Sequence, residues 1–344
     1  MNESYDLLIL TNLPSFYKIN LYNELSKKKN IKVVFISNQS KIRNSDFMKG
    51  DINFDFEIIT NKHYENRNKL FVFYKLFKLL VKTKVKQIIF SGWESIETTI
   101  LMFLNSKRKN AIVIESSIIE SSIKGIKGSV KKLIINRCQY AYPSGYLQNN
   151  ILKELKFKGV IKITHGVGLL NESFYDKKND KQLLNNKRFI YIGRLAKEKN
   201  LEFLINAFNI NGLQLTIVGE GPEYFKLKEI ARDNIIFSGY VNNDEVKFLL
   251  TSHDIFILPS ISEPWGLVVE EALYSGLPVL VSENIGCKED LVNELNSGLI
   301  FNPNDIVDLN NKIDCIIKNY SYFFNNVSVL RYQDRVNKQI KAYL

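Results

Sequence analysis

The stretch Ile255-Phe256-Ile257-Leu258-Pro259-Ser260 runs on through Glu263-Pro264-Trp265-Gly266-Leu267-Val268-Val269-Glu270-Glu271 to Gly276-Leu277-Pro278-Val279-Leu280-Val281. The first apolar run reads as a buried strand, Pro-Ser and Gly as a tight loop, and Val268–Tyr274 as a helix. Gly-Leu-Pro then breaks that helix before a second apolar strand. A strand–loop–helix–strand unit of this kind builds a parallel sheet covered by helices. Glu263 and Glu271 bracket the loop and the first helical turn. A helix start offers free N–H groups and a positive dipole end, which suits a phosphate, and carboxylates accept hydrogen bonds from sugar hydroxyls. Phosphate and hydroxyls held side by side describe a site for a nucleotide sugar.

The same plan repeats on either side of this stretch. Strands are expected at Phe189–Ile192, Leu215–Val218 and Ile235–Phe237, with helices at Leu201–Phe208, Glu223–Ala231 and Asp244–Leu250. The first half alternates too. Strands are expected at Leu7–Leu10, Val33–Ile36, Ile88–Phe90, Ala111–Ile114 and Ala141–Pro143, and helices at Ile19–Leu25, Leu70–Val81 and Val130–Arg137. A chain of 344 residues suits two domains of ordinary size. The expected architecture is α/β: two doubly wound, Rossmann-like domains facing across a cleft, where strand ends meet ligand. The boundaries are 1–170 for the N-terminal domain and 171–325 for the C-terminal domain, joined through the polar segment Asn171–Lys187. A C-terminal helix over 326–344 is placed to pack back on the N-terminal domain.

Charge divides along the same boundary. Residues 1–150 carry 24 Lys and Arg against 12 Asp and Glu, whereas residues 151–344 carry 23 against 24. The N-terminal half therefore holds the whole excess, which points to an anionic partner or to solvated surface lysines. Within it, Lys69–Lys86 is a basic amphipathic stretch with Lys75, Lys78 and Lys82 on one helical face, and Ile123–Arg137 is a second basic patch. The first stretch reads either as a helix lying on an anionic membrane or as a core helix with a lysine edge. No motif interleaves basic and aromatic residues as nucleic-acid binding requires, so no nucleic-acid partner is expected. Cys138, Cys287 and Cys315 are scattered and odd in number, with neither disulfide nor metal-ligand spacing, and imply a reducing cytoplasm. The first residues have no basic n-region, and no run approaches the roughly 18 apolar residues of a membrane span.

The second informative stretch is Phe189-Ile190-Tyr191-Ile192-Gly193-Arg194-Leu195-Ala196-Lys197-Glu198-Lys199-Asn200. Gly193 ends a strand and lets backbone and ligand approach. Arg194 offers a planar fork and Lys199 a point charge, a pairing suited to diphosphate. Val218-Gly219-Glu220-Gly221-Pro222 is a Gly-rich strand-to-helix turn, weak by itself.

Together these motifs resemble retaining glycosyltransferases of family 4, which have the GT-B fold. Glu263 and Glu271 take the two positions of the family's Glu-seven-Glu pattern, and Pro264, Gly266, Leu267, Ala272, Gly276 and Pro278 also match. Gly193–Asn200 is similar to the family's G-R-L-x-x-E-K segment and Val218–Pro222 to its V-G-x-G-P segment. Phe237-Ser238-Gly239-Tyr240-Val241 resembles its F-x-G-x-V segment. The resemblance implies that Arg194 and Lys199 stabilise a departing nucleoside diphosphate, Glu263 holds sugar hydroxyls and Glu271 the ribose. It further places Gly193, Gly219, Tyr240, Val241, Pro264, Trp265, Gly266 and Leu267 in contact with the donor, the last three partly through backbone N–H groups.

The N-terminal half matches less closely. Leu13-Pro14-Ser15-Phe16-Tyr17 replaces the Gly-rich turn of many relatives. It is similar to a segment of relatives acting on surface polysaccharides, which would put Ser15 and Tyr17 in the cleft. Ser15 reads equally well as a helix N-cap. Trp93, after a strand, could stack on a sugar or belong to the core, and Glu115 also follows a strand and could likewise face the cleft. His165-Gly166-Val167-Gly168 stands where relatives carry N-G-V-D and reads as a structural hinge.

The chain has no Asp-x-Asp, so no metal is expected and no cofactor is required; cations and helix N-termini would neutralise the diphosphate. The resemblance implies a glycosyltransferase using a UDP-, GDP- or ADP-sugar, UDP-sugar favoured. The acceptor would be a lipid-linked saccharide in surface-polysaccharide synthesis. The expected location is cytoplasmic, peripheral on the inner face of the cell membrane. The alternatives are a nucleotide-sugar epimerase of the same fold and a non-catalytic membrane-docking protein.

Overall fold

The computed structural model describes residues 4–43, 45–172 and 187–344. The chain forms two compact units, Met1–Asn171 with Arg335–Leu344, and Glu172–Asp334. Most of the polar segment expected to join the domains, residues 173–186, lies outside the described residues.

The N-terminal unit contains β1 (Ser4–Thr11), α1 (Phe16–Ser26), β2 (Ile31–Gln39), β3 (Asp55–His63), α2 (Lys69–Lys82), β4 (Lys84–Phe90) and α3 (Ile96–Leu104), followed by β5 (Asn110–Ile114), α4 (Gly125–Ile135), β6 (Tyr140–Pro143), α5 (Tyr146–Glu154) and β7 (Val160–Ile161). The seven strands form one parallel sheet in the order β3-β2-β1-β4-β5-β6-β7. β1 is an interior strand, with Leu8 paired to Lys32 on one side and Ile88 on the other. Both faces of β1 are covered, so Leu7, Leu8, Ile9 and Leu10 are all buried; this is why the strand reads as a continuous apolar run. α2 starts at Asn68, whose side chain accepts from the Phe71 N–H at 3.0 Å. It turns Val72 and Leu76 into the core beside Leu101 and Met102 of α3 and Ile134 and Ile135 of α4.

The last helix, α12 (Tyr332–Tyr343), belongs to this unit from Arg335 onward. The Arg335 guanidinium donates to the His165 carbonyl, Gln339 Nε2 donates to the Gly168 carbonyl at 2.7 Å, and the Tyr343 ring stacks on Tyr142 at 4.9 Å between centroids. A Cβ on Gly166 would lie 1.9 Å from Arg335 Nη2, so the glycine is what lets the helix seat. His165 itself takes a left-handed conformation, φ 54°. The segment His165–Gly168 thus anchors the C-terminal helix to the first unit.

The C-terminal unit contains β8 (Phe189–Ile192), α6 (Leu201–Asn211), β9 (Leu215–Val218), α7 (Tyr224–Ile230), β10 (Ile235–Gly239), α8 (Asn243–Thr251) and β11 (Ile255–Leu258). After these come α9 (Leu267–Tyr274), β12 (Val279–Ser282), a π-helical turn (Lys288–Asn293), β13 (Gly298–Phe301), α10 (Ile306–Lys318) and α11 (Tyr320–Ser328). Its parallel sheet has the order β10-β9-β8-β11-β12-β13. Both units are therefore doubly wound α/β layers. In each, the order of strands reverses beside the first strand, between β1 and β4 and between β8 and β11. A crevice opens outside the carboxyl ends of the strands at such a reversal, and ligands bind there.

Candidate functional site

In the C-terminal unit the two decisive sequence stretches are the loops on either side of that reversal. The loop after β8 carries Gly193, Arg194 and Lys199; the loop after β11 carries Glu263, Pro264, Trp265 and Gly266. The Ile261 N–H donates to the Glu198 carbonyl at 2.9 Å and ties one loop to the other. The Lys199 ammonium forms an ion pair with the Glu263 carboxylate, each side chain 18% exposed. The structure thus brings these two residues, 64 positions apart, into direct contact. Arg194 differs: it is exposed, and its guanidinium has no hydrogen bond or ion pair among the described residues. Its carbonyl accepts from the Tyr191 hydroxyl at 3.0 Å, which fixes the loop. Burial, with Glu263 and Glu198 nearby, pushes that hydroxyl well above the usual tyrosine range, so it stays a neutral donor.

The glycines set how closely the strand ends approach. Gly219 follows β9 with φ +129°, and a Cβ there would lie 2.0 Å from the Gly193 carbonyl oxygen. The Gly193 N–H donates to Val218 O at 3.0 Å, and the Gly219 N–H to Gly239 O at 2.7 Å. The ends of β8, β9 and β10 are therefore laced backbone to backbone. Tyr240 stands exposed just beyond, and Val241 is half-buried.

Gly266 is the N-cap of α9, with φ +96° and no side-chain cap. A side chain there would crowd Ile285 and Val269. The Val269 N–H donates to the Gly266 carbonyl at 2.9 Å, whereas the earlier N–H groups, Leu267 among them, precede the first helical bond; with the dipole they suit an anion. Pro264 is exposed and Leu267 half-buried. The Trp265 side chain is not available to a ligand: it is 3% exposed and its indole N–H donates to Glu270 Oε2 at 3.3 Å. An indole needs both an apolar slot and an acceptor when buried, and Glu270 supplies the acceptor. A contact by Trp265 with a ligand is left to its backbone. Glu271, on the next position of α9, is 7% exposed. Burial, reinforced by the Glu270 charge, raises its carboxyl to about 7. It is a half-ionised acceptor near neutral pH, and a pair of ligand hydroxyls would satisfy it.

The N-terminal unit has its own polar pocket at the β1/β4 reversal, about 70 Å³ and lined by Asn12, Lys18, Ser91, Trp93, Glu94 and Glu115 among others. Trp93 and Glu115 meet there. Nothing local in the sequence marks Lys18; its ammonium lies 3.1 Å from Glu115 Oε1. Burial alone would pull this ammonium down, but Glu115, with Tyr17 and Tyr22, holds it above the usual lysine range. Trp93 is half-buried against the core, and Lys131 Nζ sits 4.9 Å from its ring centroid. Ser15 occupies the N-cap position of α1, but its hydroxyl makes no capping bond. Tyr17 is half-buried, packs edge-on against Phe47 at 5.6 Å and accepts at its carbonyl from Leu169 N–H. Ser15 and Tyr17 do not line the pocket.

Residues 174–336, nearly the whole C-terminal unit, match the family model described as Glycosyl transferases group 1. Over 185 residues the chain is 31% identical to a GDP-mannose-dependent alpha-mannosyltransferase of Corynebacterium glutamicum, covering 52% of this chain and 43% of that protein. The chain spans less than half the length of these curated relatives. Across the whole fold it resembles the crystal structure of Anabaena HepE in complex with UDP, with a TM-score of 0.71 and 16% identity over 98% of this chain and 96% of that one. It is also similar to the apo form of the lipopolysaccharide outer core galactosyltransferase WaaB, with a TM-score of 0.68 and 14% identity over 98% of this chain and 100% of that one. These likenesses establish the GT-B fold: two Rossmann-like domains with parallel sheets.

Proposed function

We propose that this chain, whose C-terminal unit carries a glycosyl transferases group 1 domain, is a retaining glycosyltransferase of family 4. In this reading the C-terminal unit binds a nucleoside diphosphate sugar, UDP-sugar favoured, and a sugar moves to an acceptor hydroxyl with its anomeric configuration kept. The observation that carries the reading is the grouping at one strand reversal of four features. These are the exposed Arg194 guanidinium, which has no partner among the described residues, the Lys199–Glu263 pair, the start of α9 at Gly266 and the buried Glu271 carboxyl.

Each feature has a task. Arg194 and the α9 N–H groups receive the diphosphate. The donor's phosphate takes Lys199 from Glu263, and the freed carboxylate turns to sugar hydroxyls. Charge is conserved in that exchange, so opening the pair leaves no buried ion alone. Glu271 accepts from the ribose hydroxyls, and Gly193, Gly219, Tyr240 and Val241 border the base. As the glycosidic bond breaks, Arg194 and Lys199 stabilise the negative charge growing on the leaving phosphate. That phosphate takes the acceptor hydroxyl's proton, so no protein nucleophile enters. These cations and the helix start do the work of a divalent ion, so no metal is required.

The acceptor in this reading is a lipid-linked saccharide of surface-polysaccharide assembly, met at the cytoplasmic face of an anionic membrane. The basic N-terminal unit and the likeness to a lipopolysaccharide galactosyltransferase support that choice. The test is turnover: uridine, guanosine and adenosine diphosphate sugars are offered with extracted lipid-linked saccharides, and product is analysed by mass spectrometry and anomeric proton coupling. An α-linked product from an α-linked donor supports the reading. Conversion of the donor sugar without transfer points to an epimerase, and no conversion of any donor overturns the enzymatic reading.

A further inference from the structure

A helix that covers a sheet needs one apolar stripe, facing inward. α2, α3 and α4 each carry two. On α2 the inward stripe includes Val72 and Leu76. A second stripe, Leu70, Tyr74, Phe77 and Val81, follows the i, i+4, i+7, i+11 spacing of one helix face and is exposed, Leu70 at 81% and Val81 at 71%. On α3, Leu101 and Met102 are buried while Ile96, Ile100 and Leu104 stand in solvent. On α4, Ile134 and Ile135 are buried while Ile126, at 85%, Val130 and Leu133 are exposed.

The three helices are neighbours: α2 packs on α3 and α3 on α4. Arg137, just past α4, donates to the Phe103 carbonyl of α3 at 2.9 Å. Their outer stripes therefore form one layer, far more apolar surface than a soluble protein leaves scattered. Cations border it. Residues 69–93 hold six lysines and no acidic residue, and residues 121–139 hold four lysines, one arginine and no acidic residue. On α3 the one acidic side chain, Glu97, is buried against Arg67.

We propose that this outer α2–α3–α4 layer is a membrane-insertion face, whose apolar stripes enter an anionic lipid bilayer while the bordering lysines meet its headgroups. This rests on the membrane-bound acceptor of the proposed function and deepens it. The charge selects the occupant. A second copy of the chain would bring two positive borders together, whereas anionic headgroups complement them. The apolar stripes add a component that salt does not screen, so binding survives where a purely electrostatic contact is released.

The experiment is vesicle flotation of the full chain with phosphatidylcholine vesicles and with vesicles containing phosphatidylglycerol. It is run at low salt and at about 1 M salt, where the Debye length is about 3 Å. The triple variant Leu70→Asp, Val81→Asp, Ile126→Asp touches only exposed positions. A second variant, Ile210→Asp with Phe225→Asp, changes exposed apolar residues of the C-terminal unit instead. The expected result is flotation with the anionic vesicles that persists in part at high salt, falls at least tenfold in the triple variant at an unchanged thermal midpoint, and is unaffected in the second. Failure of the wild-type chain to float, complete release by salt, or wild-type flotation of the triple variant would each overturn the inference. So would self-association that the triple variant abolishes, which would assign the face to a second copy. Donor-induced thermal shifts on the same proteins separate the two claims: a shift without flotation overturns the insertion face alone, and flotation without a shift overturns the proposed activity alone.

Discussion

Glu271→Gln makes the most detailed prediction. The wild-type carboxyl is buried, and its neighbour Glu270 adds a like charge, so it titrates near 7 in the fold against 4.5 in the unfolded chain. The folded carboxyl binds its proton more tightly. Its contribution to stability is therefore whole below pH 4.5, and is lost as pH rises toward and through 7. At about 1.4 kcal/mol for each tenfold in proton affinity, full ionisation costs the fold about 3 kcal/mol. The glutamine side chain of the variant does not titrate. The variant should match the wild type in acid and exceed it in stability by about 3 kcal/mol at about pH 8, with the gap widening by about 2 kcal/mol from about pH 5.5. The assay is urea unfolding in a Trp93→Phe background, where Trp265 is the one remaining tryptophan of the chain's two and reports on the C-terminal unit. The cost of the substitution should appear in function: losing a charged acceptor for the ribose weakens the donor by about tenfold or more. A stability gap that does not change with pH, or a wild type more stable than the variant above pH 7, would refute the reasoning.

Three further substitutions probe other parts of the structure. Arg194→Ala removes an exposed guanidinium with no partner among the described residues, so it should leave the unfolding midpoint unchanged while weakening diphosphate binding by about tenfold or more, read by calorimetry. Gly219→Ala puts a Cβ 2.0 Å from the Gly193 carbonyl at φ +129° and should destabilise the C-terminal unit by at least about 2 kcal/mol, seen as a fall in Tm. Arg67→Ala strips the buried Glu97 of its ion-pair partner and should cost the N-terminal unit about 3–5 kcal/mol in chemical unfolding, with Glu97→Gln in the same background recovering part of the loss.

What the sequence could disclose followed from how each element is buried. Strands covered on both faces, such as Leu7–Leu10 and Ile255–Leu258, are unbroken apolar runs and were readable. β3 was not: it lies at the sheet edge, and Asp55-Phe56-Glu57-Ile58-Ile59-Thr60-Asn61-Lys62-His63 is largely exposed. α5 buries Gln148 and Asn149 where a helical pattern would show apolar residues. α10 did carry legible signals, with Asp305 capping Val307 and Asp308 and Leu309, Ile313 and Ile316 on one face. Within the site, motif spacing marked Arg194, Lys199, Glu263 and Glu271, because local backbone dictates those positions. The Lys199–Glu263 pair, the inward turn of Trp265 onto Glu270 and the Lys18–Glu115 pair depend on contacts between distant segments, which no local pattern encodes. The double apolar stripes of α2, α3 and α4 were half visible: lysine spacing showed on the first, while which stripe faces water required the packed sheet.

In the proposed function, the β8/β11 reversal of the C-terminal unit holds a nucleoside diphosphate through Arg194 and Lys199. Isothermal titration of the wild-type chain, Arg194→Ala and Lys199→Ala with uridine, guanosine and adenosine diphosphates measures it directly. The expected result is saturable binding of at least one of them by the wild type, UDP favoured, weakened about tenfold or more by either substitution. Absence of binding by all three, or equal affinity in the wild type and both variants, would contradict it.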